Sequence, residues 1–133
     1  AGSYNLTTVE GGAKGLHASL ESLFQVTPPT ALIVADSEHF WPTHQYLSRR
    51  GLKVPEDVSL ISADQERDYL WCDPPVSHLR WEGDPIIRRV LTWADRVTRG
   101  KPDIRQRLFD AEFVEGGTIG PVSGRESGVR GQH

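Results

Sequence analysis

The stretch TALIVADSEHFWPTHQYLSRRGLKVPEDVSLISADQ, residues 30–65, decides how this chain folds. Residues 30–35 form an apolar run that follows two prolines, which is typical of a short strand buried on both faces. A helix is predicted over residues 36–51, because Ser37 is a favoured N-cap and Gly51 suits the left-handed position after a helix. Residues 57–62 are predicted to form a second strand, which completes a strand–helix–strand unit.

An acidic residue follows each of the two predicted strands. Asp36 comes directly after the first strand and Asp64 follows the second. Parallel strands joined by a helix end at the same edge of a sheet, where open α/β sheets bind ligands. A carboxylate there can accept hydrogen bonds from two hydroxyl groups. For Asp36 the alternative is a purely local role, because a negative charge is favourable at a helix N-terminus.

The remaining elements follow from periodicity and from proline and glycine positions. Residues 69–71 are expected to form a small satellite core. Residues 122–133 are polar and glycine-rich, and we expect this tail to be disordered. The further predictions are a helix over residues 10–27, a strand over 76–81, a helix over 84–100 that begins with Asp84 as N-cap, and strands over 104–108 and 111–114.

The central stretch also resembles the C-terminal sensor subdomain of the LacI/GalR family of transcriptional regulators. That family reads P-T-A, an apolar strand, A-N-D, a helix ending in R-G-L, V-P-x-D-V-S-V, G-F-D-D and then P-P-L-T-T. The matching text here is PTA at 29–31, ADS at 35–37, RGL at 50–52, VPEDVS at 54–59, Asp64, PPVS at 74–77 and the closing GP at 120–121.

The resemblance implies a three-layer α/β/α fold with a mainly parallel sheet. Residues 1–121 would be one lobe of a periplasmic-binding-protein-like type I sensor. Family members also carry an N-terminal DNA-binding domain and a second lobe, and neither is found in this text. The chain has no methionine and opens with AGS, so we expect a fragment of a longer, cytoplasmic protein.

The resemblance also implies a binding site and an interface. Asp36 matches the asparagine of A-N-D and Asp64 matches the first aspartate of G-F-D-D, positions that hydrogen-bond effector hydroxyls in the family. Trp81 matches a frequent effector contact and could stack on a sugar ring, although a core position is its alternative. Trp41 lies on a helix that the family uses for homodimerisation, and it too has a core alternative. The effector is expected to be a sugar, but A-D-S in place of A-N-D leaves its identity open.

Composition limits the other classes of function. A net charge of −3 and a pI near 5.9 argue against direct contact between this chain and a phosphate backbone, so DNA would be bound only through the missing domain. No run of residues is long and apolar enough to cross a membrane. His39 and His44 are five residues apart and lack further ligands, so neither a metal nor another cofactor is expected. There is no G-x-S-x-G or phosphate-binding loop, and we expect no enzymatic activity.

Two other classes share parts of this pattern. A solute-binding protein of a sugar transporter has the same two-lobed fold and is the main alternative. A phosphoacceptor receiver domain would also place an acidic residue after its first strands, and Lys101-Pro102 resembles its lysine–proline pair. The interval between Asp36 and Asp64 is shorter than that class usually shows.

Overall fold

The computed structural model describes residues 4–122, which form a mixed α/β unit around one mainly parallel sheet. This is the predicted fold class. The elements in chain order are α1 (Gly12–Val26), β1 (Ala31–Val34), α2 (Ser37–Arg49), β2 (Ser59–Ser62), a short 3-10 helix (Arg67–Trp71), β3 (Ser77–Arg80), α3 (Gly83–Thr98) and β4 (Glu112–Val114).

The four strands lie side by side in the order β1-β2-β3-β4. β1 and β2 are parallel, with Ala31 opposite Ser59, and β2 and β3 are also parallel. β4 returns antiparallel to β3, with Phe113 opposite Leu79. The carboxyl ends of the three parallel strands therefore meet at one edge, as the strand–helix–strand prediction requires.

The core lies between the sheet and the helices α1 and α2. Phe40, Thr43 and Leu47 of α2 are buried and lie at the spacing of one helix face. Gly51 has a φ of 71°, which confirms the left-handed residue after this helix. The buried apolar residues are Leu16, Leu20, Phe40, Tyr46, Leu47, Val58, Leu60, Tyr69 and Val76.

One face of β1 is not covered. Leu32 and Val34 pack against the core, whereas the side of the strand that carries Ile33 faces outward, and Ile33 is 72 % exposed. The prediction of a strand buried on both faces is therefore wrong for β1. The α3 helix likewise has no buried residue within the described chain, although one side of it is apolar. The exposed apolar residues of α3 are Ile87, Val90, Leu91, Trp93 and Val97.

Several local predictions of element boundaries need correction. The N-cap of α2 is Asp36 rather than Ser37, and α3 begins at Gly83, so Asp84 lies in its first turn. β2 begins at Ser59 instead of 57, because Asp57 is engaged in a turn with Lys53. Residues 104–108 form no strand.

The satellite core predicted for residues 69–71 is also wrong. Tyr69 is fully buried in the main core, whereas Leu70 and Trp71 are 70 % and 87 % exposed. The short 3-10 helix explains this difference, because it turns one of three adjacent apolar side chains inward. The tail predicted to be disordered, residues 122–133, lies outside the described residues except for its first.

The segment that follows β4 is hydrogen-bonded to the backbone of both β2 and β3. The Thr118 hydroxyl accepts a hydrogen bond from the Ser77 N–H (2.9 Å) and donates one to the Leu60 carbonyl (2.6 Å). The Leu60 N–H in turn donates to the Thr118 carbonyl at 2.8 Å. Gly116 passes so close to the backbone at Pro75 that an added Cβ would overlap with it. This segment therefore ties β2 and β3 together at their buried side.

Candidate functional site

The N-terminus of α2 lies at the carboxyl edge of the sheet, and Asp36 caps it. Asp36 Oδ1 accepts the backbone N–H of His39 at 2.9 Å, and Oδ2 lies 2.8 Å from His39 Nδ1. Partial burial raises the pKa of Asp36, but these hydrogen bonds and the charge of His39 hold it below its ordinary value. The local capping role considered for Asp36 is therefore present. Oδ1 also lies 2.7 Å from His39 Nδ1, so Oδ2 is the oxygen that retains a lone pair for a further donor, and the side chain is 47 % exposed.

Asp64 reaches the same helix terminus from the end of β2. Its Oδ2 accepts the N–H of Ser37 at 3.3 Å, and its Oδ1 accepts the N–H of Gln65 at 2.8 Å. The Asp64 N–H donates to the Ser62 hydroxyl at 3.2 Å. The carboxylates of Asp36 and Asp64 thus both bond to the first turn of α2, so these two predicted residues are brought together.

Trp81 connects to this pair through a residue that sequence reasoning missed. The side-chain oxygen of Gln65, the neighbour of Asp64, accepts the backbone N–H of Trp81 at 3.2 Å. Trp81 is half-buried and lines a groove of about 420 Å³. The two aspartates do not line this groove, so Gln65 is the bridge between them and Trp81. The lining residues are Gln65, Arg80, Trp81, Glu82, Gly83 and Asp84.

A buried pair of hydroxyl groups, those of Ser62 and Tyr69, lies next to Asp64 on the core side. The Tyr69 hydroxyl lies 2.9 Å from the Ser62 hydroxyl, and both residues are fully buried. Burial raises the pKa of Tyr69, so its phenol stays neutral and available for this hydrogen bond. The ring of Tyr69 packs against Phe40 at 5.2 Å and His78 at 5.3 Å. The core therefore fixes the loop that carries Asp64.

The edge of the sheet carries more negative than positive charge. Arg80, the arginine that lines the groove beside Trp81, is engaged with Glu112 at 2.6 Å. Carboxylates in this arrangement can accept hydrogen bonds from hydroxyl or ammonium groups and repel anions. The acidic residues along the edge are Asp36, Asp64, Glu66, Glu82 and Asp84.

Trp41 occupies an intermediate position on α2. Its ring contacts Phe40 at 5.1 Å and Tyr69 at 6.0 Å between centroids, yet the residue is 41 % exposed. One side of the indole thus belongs to the core and the other is open to solvent. The core alternative is therefore met in part, and the role of Trp41 in a dimer interface stays a prediction.

The histidines are engaged in contacts other than metal binding. His39 pairs with Asp36, and His44 stacks edge-on against Trp41 at 6.2 Å. Within residues 4–122 no group of three or more histidine, cysteine or acidic side chains could hold a metal ion. In the same part of the chain, none of the helices has the length and apolar character needed to cross a membrane.

Comparisons with known proteins agree with this geometry. Residues 3–119 match the periplasmic binding protein-like domain family. The HTH-type transcriptional repressor CytR of Escherichia coli is 30 % identical over 108 residues, which cover 80 % of this chain and 31 % of CytR. The chain thus spans about a third of the length of the curated relatives it matches.

Solved structures of regulators have the same fold. A LacI family transcriptional regulator from Bifidobacterium animalis subsp. lactis superposes with a TM-score of 0.69 at 21 % identity, covering 84 % of this chain and 41 % of the regulator. The lac repressor dimer bound to operator and the anti-inducer ONPF gives a TM-score of 0.66 at 18 % identity, covering 80 % of this chain and 38 % of the repressor.

Proposed function

Because this chain belongs to the periplasmic binding protein-like domain family, as a LacI/GalR-type effector-binding domain, we propose that residues 1–121 are the C-terminal lobe of a sugar sensor in a transcriptional regulator. The observation that carries the proposal is the convergence of Asp36 and Asp64 on the first turn of α2. Trp81 is joined to them through Gln65 and supplies an aromatic surface.

The charge of the edge favours a neutral, polyhydroxylated effector. Asp36 and Asp64 keep lone pairs that accept hydroxyl hydrogens, and hydrogen bonds to ionised acceptors are stronger than neutral ones. An anionic sugar such as a uronate would meet Glu66, Glu82 and Asp84, and the arginine that lines the same groove, Arg80, is already paired with Glu112. We therefore expect neutral pentoses or hexoses to be preferred to uronates.

Effector binding would act on DNA indirectly. The regulator would exchange between a state that binds DNA and one that does not, and these states would differ in the arrangement of the lobes. A ligand shifts this equilibrium only by the difference between its affinities for the two states. DNA would be contacted by a further domain of the regulator, which would work as a cytoplasmic homodimer with Trp41 at its interface. No catalytic step is assigned to this lobe. Named relatives are regulators, which favours this function over that of a solute-binding protein in a transporter.

The test uses the full-length protein that contains residues 1–133. Binding to its own upstream DNA is followed by fluorescence anisotropy while neutral pentoses, neutral hexoses and uronates are titrated. One neutral ligand should change the DNA affinity at least fivefold, and Asp64→Asn should remove this response while DNA binding without effector stays unchanged. Asp110→Asn, on an exposed loop, is the matched control and should respond like the wild type.

Two outcomes would contradict the proposal. A protein that binds a sugar but ignores DNA would be a transport-type binding protein. A response that survives Asp64→Asn, or a preference for uronates over neutral sugars, would place the effector away from the acidic edge.

A further inference from the structure

A second groove, separate from the acidic edge, is lined by arginines. It lies between α3 and residues 105–107 and has a volume of about 530 Å³. None of its lining residues belongs to the candidate effector site. The residues with polar side chains that line it are Arg88, Arg89, Thr92, Arg105, Gln106 and Arg107.

Two of these arginines are held in place by one buried carboxylate. The side chain of Asp103 has no exposed surface. Arg89 donates to both of its oxygens, at 3.3 and 3.1 Å, and Arg105 does so at 3.0 Å from Nε and from its terminal nitrogen. The hydrogen bonds from Arg105 hold the pKa of Asp103 well below its ordinary value. Asp103 is therefore ionised, and Arg89 and Arg105 are ordered before any ligand arrives. Arg96, outside the groove lining, also lies 3.8 Å from Asp103.

The other two arginines have unused donors. The Arg88 side chain is exposed and has no hydrogen-bond acceptor within residues 4–122. Arg107 lies over the ring of Phe109 at 5.3 Å, a cation–π contact that leaves its N–H edge open. Four guanidinium groups against the single carboxylate of Asp103 leave the groove with an excess of positive charge. A chain with a net charge of −3 thus concentrates positive charge in one place.

We propose that this groove binds a phosphate group carried by a small molecule. Guanidinium groups present paired N–H donors that match phosphate oxygens, and ordered arginines lose little entropy on binding. The volume lies in the range of small-molecule pockets. A groove of this size, on an otherwise acidic chain, suits a compact dianion better than a nucleic acid backbone.

The experiment measures phosphate binding to the full-length protein by isothermal titration calorimetry. The probes are inorganic phosphate, a hexose 6-phosphate and the corresponding neutral hexose. The double variant Arg88→Gln/Arg107→Gln removes the two arginines that do not hold Asp103, so the fold is kept. Its affinity for the phosphate probes should fall at least tenfold, and binding by the wild type should weaken with added salt. Arg49→Gln/Arg99→Gln removes the same charge elsewhere and should bind like the wild type.

The two phosphate probes identify the source of the anion. A hexose phosphate that binds at least tenfold more tightly than inorganic phosphate supports a phosphorylated metabolite, and equal affinities support phosphate itself, with the same arginines in either case. The proposal is overturned if neither probe binds, or if the double variant retains full affinity while its melting curve matches the wild type.

Discussion

Removing the hydroxyl group of Tyr69 tests whether the buried polar pair beneath Asp64 stabilises the fold. In the native chain this hydroxyl lies 2.9 Å from the Ser62 hydroxyl, with both residues fully buried. Tyr69→Phe keeps the ring and its contacts with Phe40 and His78, so it creates only a hydroxyl-sized gap. The substitution removes one hydrogen bond and leaves the Ser62 hydroxyl without this partner in an apolar environment.

The expected decrease in the free energy of unfolding can be worked out from this hydrogen bond. A net intramolecular hydrogen bond contributes about 1 kcal/mol, and a buried group left without a partner costs about 1–3 kcal/mol. Ser62 still accepts the N–H of Asp64, so only part of its polar capacity is lost. We therefore expect Tyr69→Phe to lower the free energy of unfolding by about 1–2 kcal/mol. Tyr69→Ala, which also removes the ring, should cost about 3–5 kcal/mol.

Urea denaturation of the full-length protein, followed by tryptophan fluorescence and circular dichroism, measures these differences. The matched control is Tyr4→Phe, because Tyr4 is 92 % exposed and should change stability by less than about 0.3 kcal/mol. A double-mutant cycle with Ser62→Ala should give a coupling energy of about 1 kcal/mol. A coupling near zero, or a Tyr69→Phe variant as stable as Tyr4→Phe, would refute the role assigned to this pair.

Three further pairs of substitutions test the capping and packing of the fold. Asp36→Ala should cost about 1 kcal/mol by removing the cap of α2, whereas Asp36→Asn should cost less at pH 7, because an amide oxygen can still accept the His39 N–H. Because the pKa of Asp36 is lowered on folding, the contribution of its ionised form should be present above about pH 4 and disappear as the pH falls further, which urea melts across this range would detect. Gly116→Ala should destabilise the fold by about 2 kcal/mol or more, because the added Cβ would overlap with the backbone at Pro75. Gly83→Ala has open space around it and should be neutral or slightly stabilising in the same urea melts. Equal changes in stability for the two variants would refute this reasoning. Thr118→Val should cost about 1–3 kcal/mol by leaving the Ser77 N–H unpaired, and Thr118→Ser should restore most of that loss.

The strand–helix–strand unit was predictable because its signals are local. An apolar run, a capping residue and Gly51 after the helix each act over a few residues. Burial was not predictable in the same way, since it depends on what covers a surface. The sequence around Ile33 is typical of a strand buried on both faces, yet nothing in residues 4–122 covers that side. The strand predicted over residues 104–108 is absent for a different reason, because Arg105 is hydrogen-bonded to Asp103.

The site was predictable where topology alone determines position. Asp36 and Asp64 follow parallel strands, and such strand ends meet at one edge. Gln65 was missed because its bond to Trp81 depends on a side-chain rotamer and on the path of a loop. Ser62 did offer a signal, since a serine hydroxyl commonly accepts the N–H two residues later, here that of Asp64.

The first turn of α2 joins the stability of the fold to the proposed effector response. Asp36 and Asp64 both accept backbone N–H groups there, so each carboxylate is already oriented when a ligand arrives. A hydroxyl that donates to their remaining lone pairs adds a bond without displacing the cap, and little conformational entropy is lost in doing so. A ligand bound only by the folded state stabilises it by about 2.7 kcal/mol at a hundredfold excess over its Kd. The same two side chains would therefore determine both where α2 begins and how strongly a neutral polyol stabilises the lobe.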